Sequence, residues 1–151
     1  MSADASPLHL PKDLLGRLDR LGPGMRAIVE AAWPDTCVAL APQGVSAWLS
    51  GVEALLGAGA GPAVLVTYIR SALAVARSGA EEILPRIADV GLAVLRRADA
   101  QTLDAFLDSL PRVALRLRPA AELPIYLELV EELSGLAPRA LVPLFEQVGQ
   151  L

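Results

Sequence analysis

The sequence predicts an all-α protein, a HEAT-like α-solenoid of antiparallel helix pairs. Three observations carry that prediction. The first is composition: of 151 residues, 54% are hydrophobic but only 4% aromatic. Leu (28) and Ala (26) dominate, and both favour helix, whereas Ile, Phe, Trp and Tyr together number 11. The second is a spacing. Pro23, Pro42, Pro62, Pro119 and Pro138 each open a segment, with gaps of 19, 20, 57 and 19 residues, and 57 is three times 19. Filling the long gap in steps of 19 lands on Glu81 and Ala100, just after Ser78-Gly79 and Asp99. Proline is tolerated at a first helical position because that N–H has no partner there, and Asp is a good N-cap. The third is helical phase within the segments. A compact antiparallel bundle is the alternative arrangement, since short turns permit either.

Taken in order, residues 1–10 read as a flexible leader and 11–151 as a single helical domain. Pro11–Leu21 reads as a short amphipathic helix carrying Leu14, Leu15, Leu18 and Leu21. Gly24–Trp33 reads as a second helix, stopped by Pro34-Asp35, and these helices are expected to cap one end of the solenoid. Three helix pairs follow, over about 43–77, 81–117 and 119–151. The segments 62–77 and 81–97 are apolar over more than one face, which predicts helices sandwiched between neighbours. In 100–117, Leu103, Phe106, Leu107, Leu110, Val113, Ala114 and Leu117 form one continuous face. Leu123, Tyr126, Leu127, Val130 and Leu133 do the same in 119–134, and Leu141, Leu144, Phe145, Val148 and Leu151 in 138–151.

Two segments make a unit of 38–39 residues. Tyr68-Ile-Arg-Ser71 resembles Phe106-Leu-Asp-Ser109 at offset 38, and Leu84-Pro85 matches Leu123-Pro124 at offset 39. The unit falls near the HEAT and armadillo range, and the tetratricopeptide signature is absent. Prolines five residues into segments, as in Pro119/Pro124 and Pro138/Pro143, should loosen the helix starts. Leu151 falls on an apolar helix face, so the chain is expected to continue beyond it.

Charge and inventory narrow the function. The net charge is −4, which does not favour nucleic acid as a partner. The longest uncharged runs, 36–52 and 54–69, are interrupted by Pro42-Gln-Gly44 and by Gly57, Gly59, Gly61 and Pro62. Each reads as two helices joined by a turn rather than a membrane span. The N-terminus lacks a basic region followed by an apolar run, so the expected compartment is the cytoplasm. Cys37 and His9 are the only Cys and His, which leaves no zinc set and no disulfide. Gly57-Ala-Gly-Ala-Gly61 lacks the Lys and Ser/Thr of a phosphate loop and reads as a turn. No GxSxG occurs. Glu128 and Glu132 share a helical face but read as solvated charge. Trp48 and Tyr68 read as core. No enzyme activity, cofactor or metal is therefore expected.

Arginines gather at segment ends and acids at segment starts, as helix dipoles favour. In a solenoid alternate helices are parallel, so Arg77 and Arg116 should share one edge, one repeat apart. With Arg112 and Arg118 they form the candidate partner-binding edge.

The run Leu40–Leu56 (LAPQGVSAWLSGVEALL), then Gly59–Pro62 (GAGP) and Val66–Ala76 (VTYIRSALAVA), resembles a known family. It is similar to the helical N-terminal region of von Willebrand factor A (VWA) domain proteins that work with MoxR-type AAA+ ATPases. These include nitric oxide reductase activation proteins and Rubisco activation subunits. The stretch 136–141 (LAPRAL) fits the same pattern. The resemblance covers about 100 residues and implies a non-catalytic scaffold. Its partners would be an AAA+ ATPase ring, a target enzyme, or both, with a VWA domain downstream. The family's metal-site signature, D-x-S-x-S, does not occur here: Asp4-Ala-Ser6 is followed by Pro7-Leu8. A membrane-interacting bundle, with residues 43–77 inserting, is the alternative expectation, motivated by a mean hydropathy of +0.47.

Overall fold

The computed structural model describes Leu10 and residues 12–21, 23–79, 81–116, 118 and 121–150. Residues 1–9, Leu117, Pro119 and Leu151 lie outside the described residues, while Leu10, at the end of the expected leader, packs against the core. Those described form α-helices and short 3-10 turns, with no strand among them. The helices are α1 (Lys12–Leu21), α2 (Pro23–Ala39), α3 (Pro42–Gly57), α4 (Pro62–Arg77), α5 (Leu84–Arg97), α6 (Ala100–Arg116), α7 (Leu123–Leu136) and α8 (Leu141–Gln150).

From α3 onward each helix packs chiefly on one two places away, while α2 divides its packing between α1 and α4. One layer is α2, α4, α6 and α8 in order, and the other is α3, α5 and α7. Weaker contacts of α3 with α4, α5 with α6 and α7 with α8 join the layers. Contacts to the second neighbour are what stacked helix pairs produce. Two hydrogen bonds fix the sense of α4 and α6. Thr67 Oγ1 donates to Asp104 Oδ1 at 2.6 Å, and Ser71 Oγ donates to the Leu107 carbonyl at 2.5 Å. Sequence numbers rise together across the pair, so α4 and α6 are parallel.

A single apolar cluster runs from Leu14 in α1 to Phe145 in α8. Trp48, Tyr68 and Phe106 are its largest fully buried members. Full burial of one such side chain contributes roughly 1.5–3 kcal/mol. The sandwiched character expected of 62–77 is realised in α4, where ten side chains are buried between neighbouring helices. Small residues set the approach of helices. A Cβ on Gly51 would collide with the Tyr68 hydroxyl. Glycine there lets the tyrosine cross α3 and donate to the Trp48 carbonyl at 3.3 Å.

The structure moves several helix boundaries. Pro34 does not stop α2, which runs on to Ala39. Pro34 is exposed, so the Glu30 carbonyl that it leaves without a donor faces solvent. Meanwhile Trp33, Thr36 and Leu40 still pack inward, which holds the last turns together. Helices expected from Glu81, Pro119 and Pro138 start later, at Leu84, Leu123 and Leu141, and 3-10 turns cover 81–83 and 138–140. The cause is Pro85, Pro124 and Pro143. A proline deeper than the first turn would break an i→i−4 bond, so the α-helix begins just ahead of each ring.

The Gly57–Gly61 stretch closes α3 and turns into α4. Gly59 has φ +85°, a left-handed conformation in which a side chain would be strained.

Candidate functional site

The candidate edge is built where α4 and α6 end. Arg77 closes α4 and Arg116 closes α6. The register set by Thr67–Asp104 and Ser71–Leu107 places Arg77 level with Val113 and Ala114, between Arg112 and Arg116 along the axis. Arg118 follows in the turn to α7. Its backbone N–H donates to Glu122 Oε1 at 2.8 Å, and its carbonyl accepts the Glu122 N–H at 2.7 Å. Arg77, Arg112, Arg116 and Arg118 are all exposed at this end of the fold.

Their electrostatic settings differ. Arg112 pairs with Asp108 at 3.5 Å, one helical turn back. Among the described residues no carboxylate lies within ion-pairing distance of Arg77, Arg116 or Arg118. Arg112 also acts on its surroundings. Burial pushes the Tyr126 hydroxyl up to about 12, against the opposing pull of its Ser109 hydrogen bond and the Arg112 charge.

Acidic residues lie in the turns that follow α4 and α6. Glu81 and Glu82 begin the segment leading into α5, and Glu122 precedes α7. Glu81 also bonds across the fold, since its Oε2 accepts the Ala41 N–H at 3.1 Å, at the N-terminus of α3. That helix has no side-chain cap of its own, so a carboxylate from the next repeat complements its dipole. The same bond brings the end of α2 alongside the end of α4.

Sequence reasoning missed two exposed aliphatic residues. Val38 is 88% exposed and Leu115 is 85% exposed. Leu115 sits between Arg112 and Arg116 and falls outside the buried phase of α6, which is the signal that could have found it. Val38 is hidden from a reading in which α2 ends at Pro34. This end of the fold thus carries four exposed arginines and exposed Leu115, with Glu81, Glu82 and Glu122 in the turns that follow α4 and α6.

The remaining chemistry is quiet. Burial raises the Cys37 thiol, and it raises the Tyr68 hydroxyl strongly. Among the described residues no group of three His, Cys, Asp or Glu side chains is placed to hold a metal ion. No described helix is long and apolar enough to cross a membrane. A cavity of about 390 Å³ lies between the start of α3 and Pro85, lined by Ala41, Gly44, Ala47, Glu81 and Glu82. Another of about 480 Å³ opens between the starts of α4 and α6, beside Asp104. Neither brings a nucleophile and a base together.

No family model matches the chain, and neither a curated protein nor a solved structure does.

Proposed function

We propose that the chain is a non-catalytic protein-interaction scaffold, the N-terminal helical region of a VWA-type adaptor. In this reading it works with a MoxR-type AAA+ ATPase to activate or remodel a target enzyme, of the nitric oxide reductase or Rubisco kind, in the cytoplasm. The resemblance of 40–76 and 136–141 supports the family. The observation that carries the scaffold reading is the edge where parallel α4 and α6 end. Arg77, Arg116 and Arg118 stand there without ion-pair partners among the described residues, around exposed Leu115. Arginine beside exposed aliphatic surface is the composition that protein interfaces favour. An acidic surface on an ATPase ring is its natural complement.

The membrane alternative has less to stand on. The apolar residues of 43–77 that motivate it are the buried faces of α3 and α4. The test is capture of a MoxR-type ATPase by the 151-residue chain. The reading expects the ATPase to be retained on the immobilised chain. No retention would remove the docking role.

A further inference from the structure

We infer that the outer face of α7 is a docking surface for a basic amphipathic helix of another protein. The inference rests on the scaffold reading but uses a different face from the arginine edge. Three contacts define which side of α7 is inward. Tyr126 Oη lies 2.8 Å from Ser109 Oγ of α6. Glu131 pairs with Arg86 of α5, and Arg97 of α5 donates to Ser134 Oγ at 3.2 Å. At 100° per residue, Ile125, Leu129 and Leu136 fall on the opposite side. They are 65%, 42% and 83% exposed. The strip spans about 16 Å along the helix axis. Partly buried Leu133 continues it toward the core.

The neighbouring helices show what this position receives. The outer side of α3 is covered by α5, and that of α5 by α7. The corresponding side of α7 carries a bare aliphatic strip instead. Clustered exposed aliphatic side chains are a mark of an interaction surface rather than ordinary exterior.

Charge selects the occupant. Residues 121–136 contain Glu122, Glu128, Glu131 and Glu132 and no basic residue. Glu128 and Glu132 border the strip, and neither has an ion-pair partner among the described residues. The fold already shows how a helix meets α7 on its other side, since α5 brings Arg86 and Arg97 onto Glu131 and Ser134. A second α7 laid against the strip would instead set Glu128 and Glu132 against their own copies. The geometry therefore fits a helix with aliphatic side chains at i, i+4, i+7 and i+11 and Lys or Arg along one flank, the helix-in-groove mode of recognition.

The experiment uses two labelled synthetic helical peptides with the same leucine stripe, one flanked by Lys and the other by Glu. Binding to the full chain is read by fluorescence anisotropy. The Leu/Lys peptide is expected to bind about tenfold or more tighter than the Leu/Glu peptide, and Leu129→Asp or Leu136→Asp should weaken it by a similar factor. Glu128→Lys with Glu132→Lys should reverse the preference. These residues are exposed, and circular dichroism checks that each variant keeps its helices. Equal binding by the Asp variants, no binding, or a concentration-dependent dimer abolished by Leu136→Asp would overturn the inference. ATPase capture by the same variants separates the two claims. If α7 fails while capture persists, only this inference falls. If capture fails while α7 binds as expected, the fault lies in the edge reading.

Discussion

The Ser71 hydroxyl of α4 donates to the Leu107 carbonyl of α6 at 2.5 Å, in the buried contact between two parallel helices. Leu107 needs this partner because position 111 is proline, which has no N–H to return to the carbonyl four residues earlier. Pro111 is thus tolerated inside α6 because the neighbouring repeat replaces the lost bond. One repeat on, Ser109 is used differently, donating within α6 to the Phe106 carbonyl and meeting Tyr126 of α7.

A double-mutant cycle tests this relationship. Ser71→Ala leaves the buried carbonyl unsatisfied and should cost about 1–3 kcal/mol in denaturant unfolding. Pro111→Ala restores the N–H, so Ser71→Ala should cost about 1 kcal/mol less in that background. Additive effects would show that Pro111 and Ser71 are independent.

Gly51 and Gly44 predict different outcomes for the same substitution. Alanine gains up to about 1 kcal/mol of helix propensity over glycine. At Gly51 the new methyl group would meet the buried Tyr68 ring and hydroxyl, which have nowhere to go. Gly51→Ala should destabilise by about 1–3 kcal/mol net. At Gly44 the new methyl group would meet the end of the Glu81 side chain, which can swing away at the cost of its Ala41 bond, and Leu40 Cβ at 3.2 Å, which must give by a few tenths of an ångström; the gain in helix propensity offsets both. Gly44→Ala should therefore lie within about 0.5 kcal/mol of the parent. Thermal or denaturant unfolding of the two variants side by side measures the difference.

Much of this architecture is legible in the sequence, and the exceptions share one cause. The 38–39-residue offset anticipates that Arg77 and Arg116 end successive parallel helices, because similar turns repeat their ends. The buried phase of α6 is legible because its apolar residues recur every three or four positions. What local pattern cannot supply is the partner of a freed carbonyl. Pro34 and Pro111 look alike in sequence, yet Pro34 reads as a stop. Solvent exposure at one and Ser71 at the other decide that both helices continue. The Glu81 bond to Ala41 spans 40 residues and is equally invisible locally. Val38 escapes because α2 reads as ending at Pro34, whereas Leu115 is legible from its place outside the buried phase of α6.

The Arg86–Glu131 pair predicts a pH effect of definite sign. The Arg86 hydrogen bond holds the Glu131 carboxyl below its usual range. A lowered folded-state value means that the stabilisation is complete above the unfolded pKa of about 4.3 and is lost as pH falls through the folded value. Both side chains are more than a third exposed, so screening keeps the effect small. Glu131→Gln should cost about 0.5 kcal/mol near neutral pH, and nearly nothing once the parent carboxyl is protonated. Unfolding curves for parent and variant at neutral and strongly acidic pH should show that convergence.

The arginine edge should also be sensitive to salt before it is sensitive to sequence detail. Exposed arginines act over about a Debye length, roughly 8 Å at physiological ionic strength. Association with an acidic partner surface should therefore slow as salt rises, with a smaller change in dissociation. Stopped-flow or surface-based kinetics at two salt concentrations would separate the two rates.

The most direct measurement is the affinity of the MoxR-type ATPase for the parent chain and for the triple variant Arg77→Glu, Arg116→Glu, Arg118→Glu. Each change sits at or beyond a helix C-terminus and should cost only a few tenths of a kcal/mol in stability, so helix content should stay at the parent level. The account predicts affinity weaker by about tenfold or more, with the deficit shrinking at high salt. Unchanged affinity in a variant with parent-like helix content would contradict it.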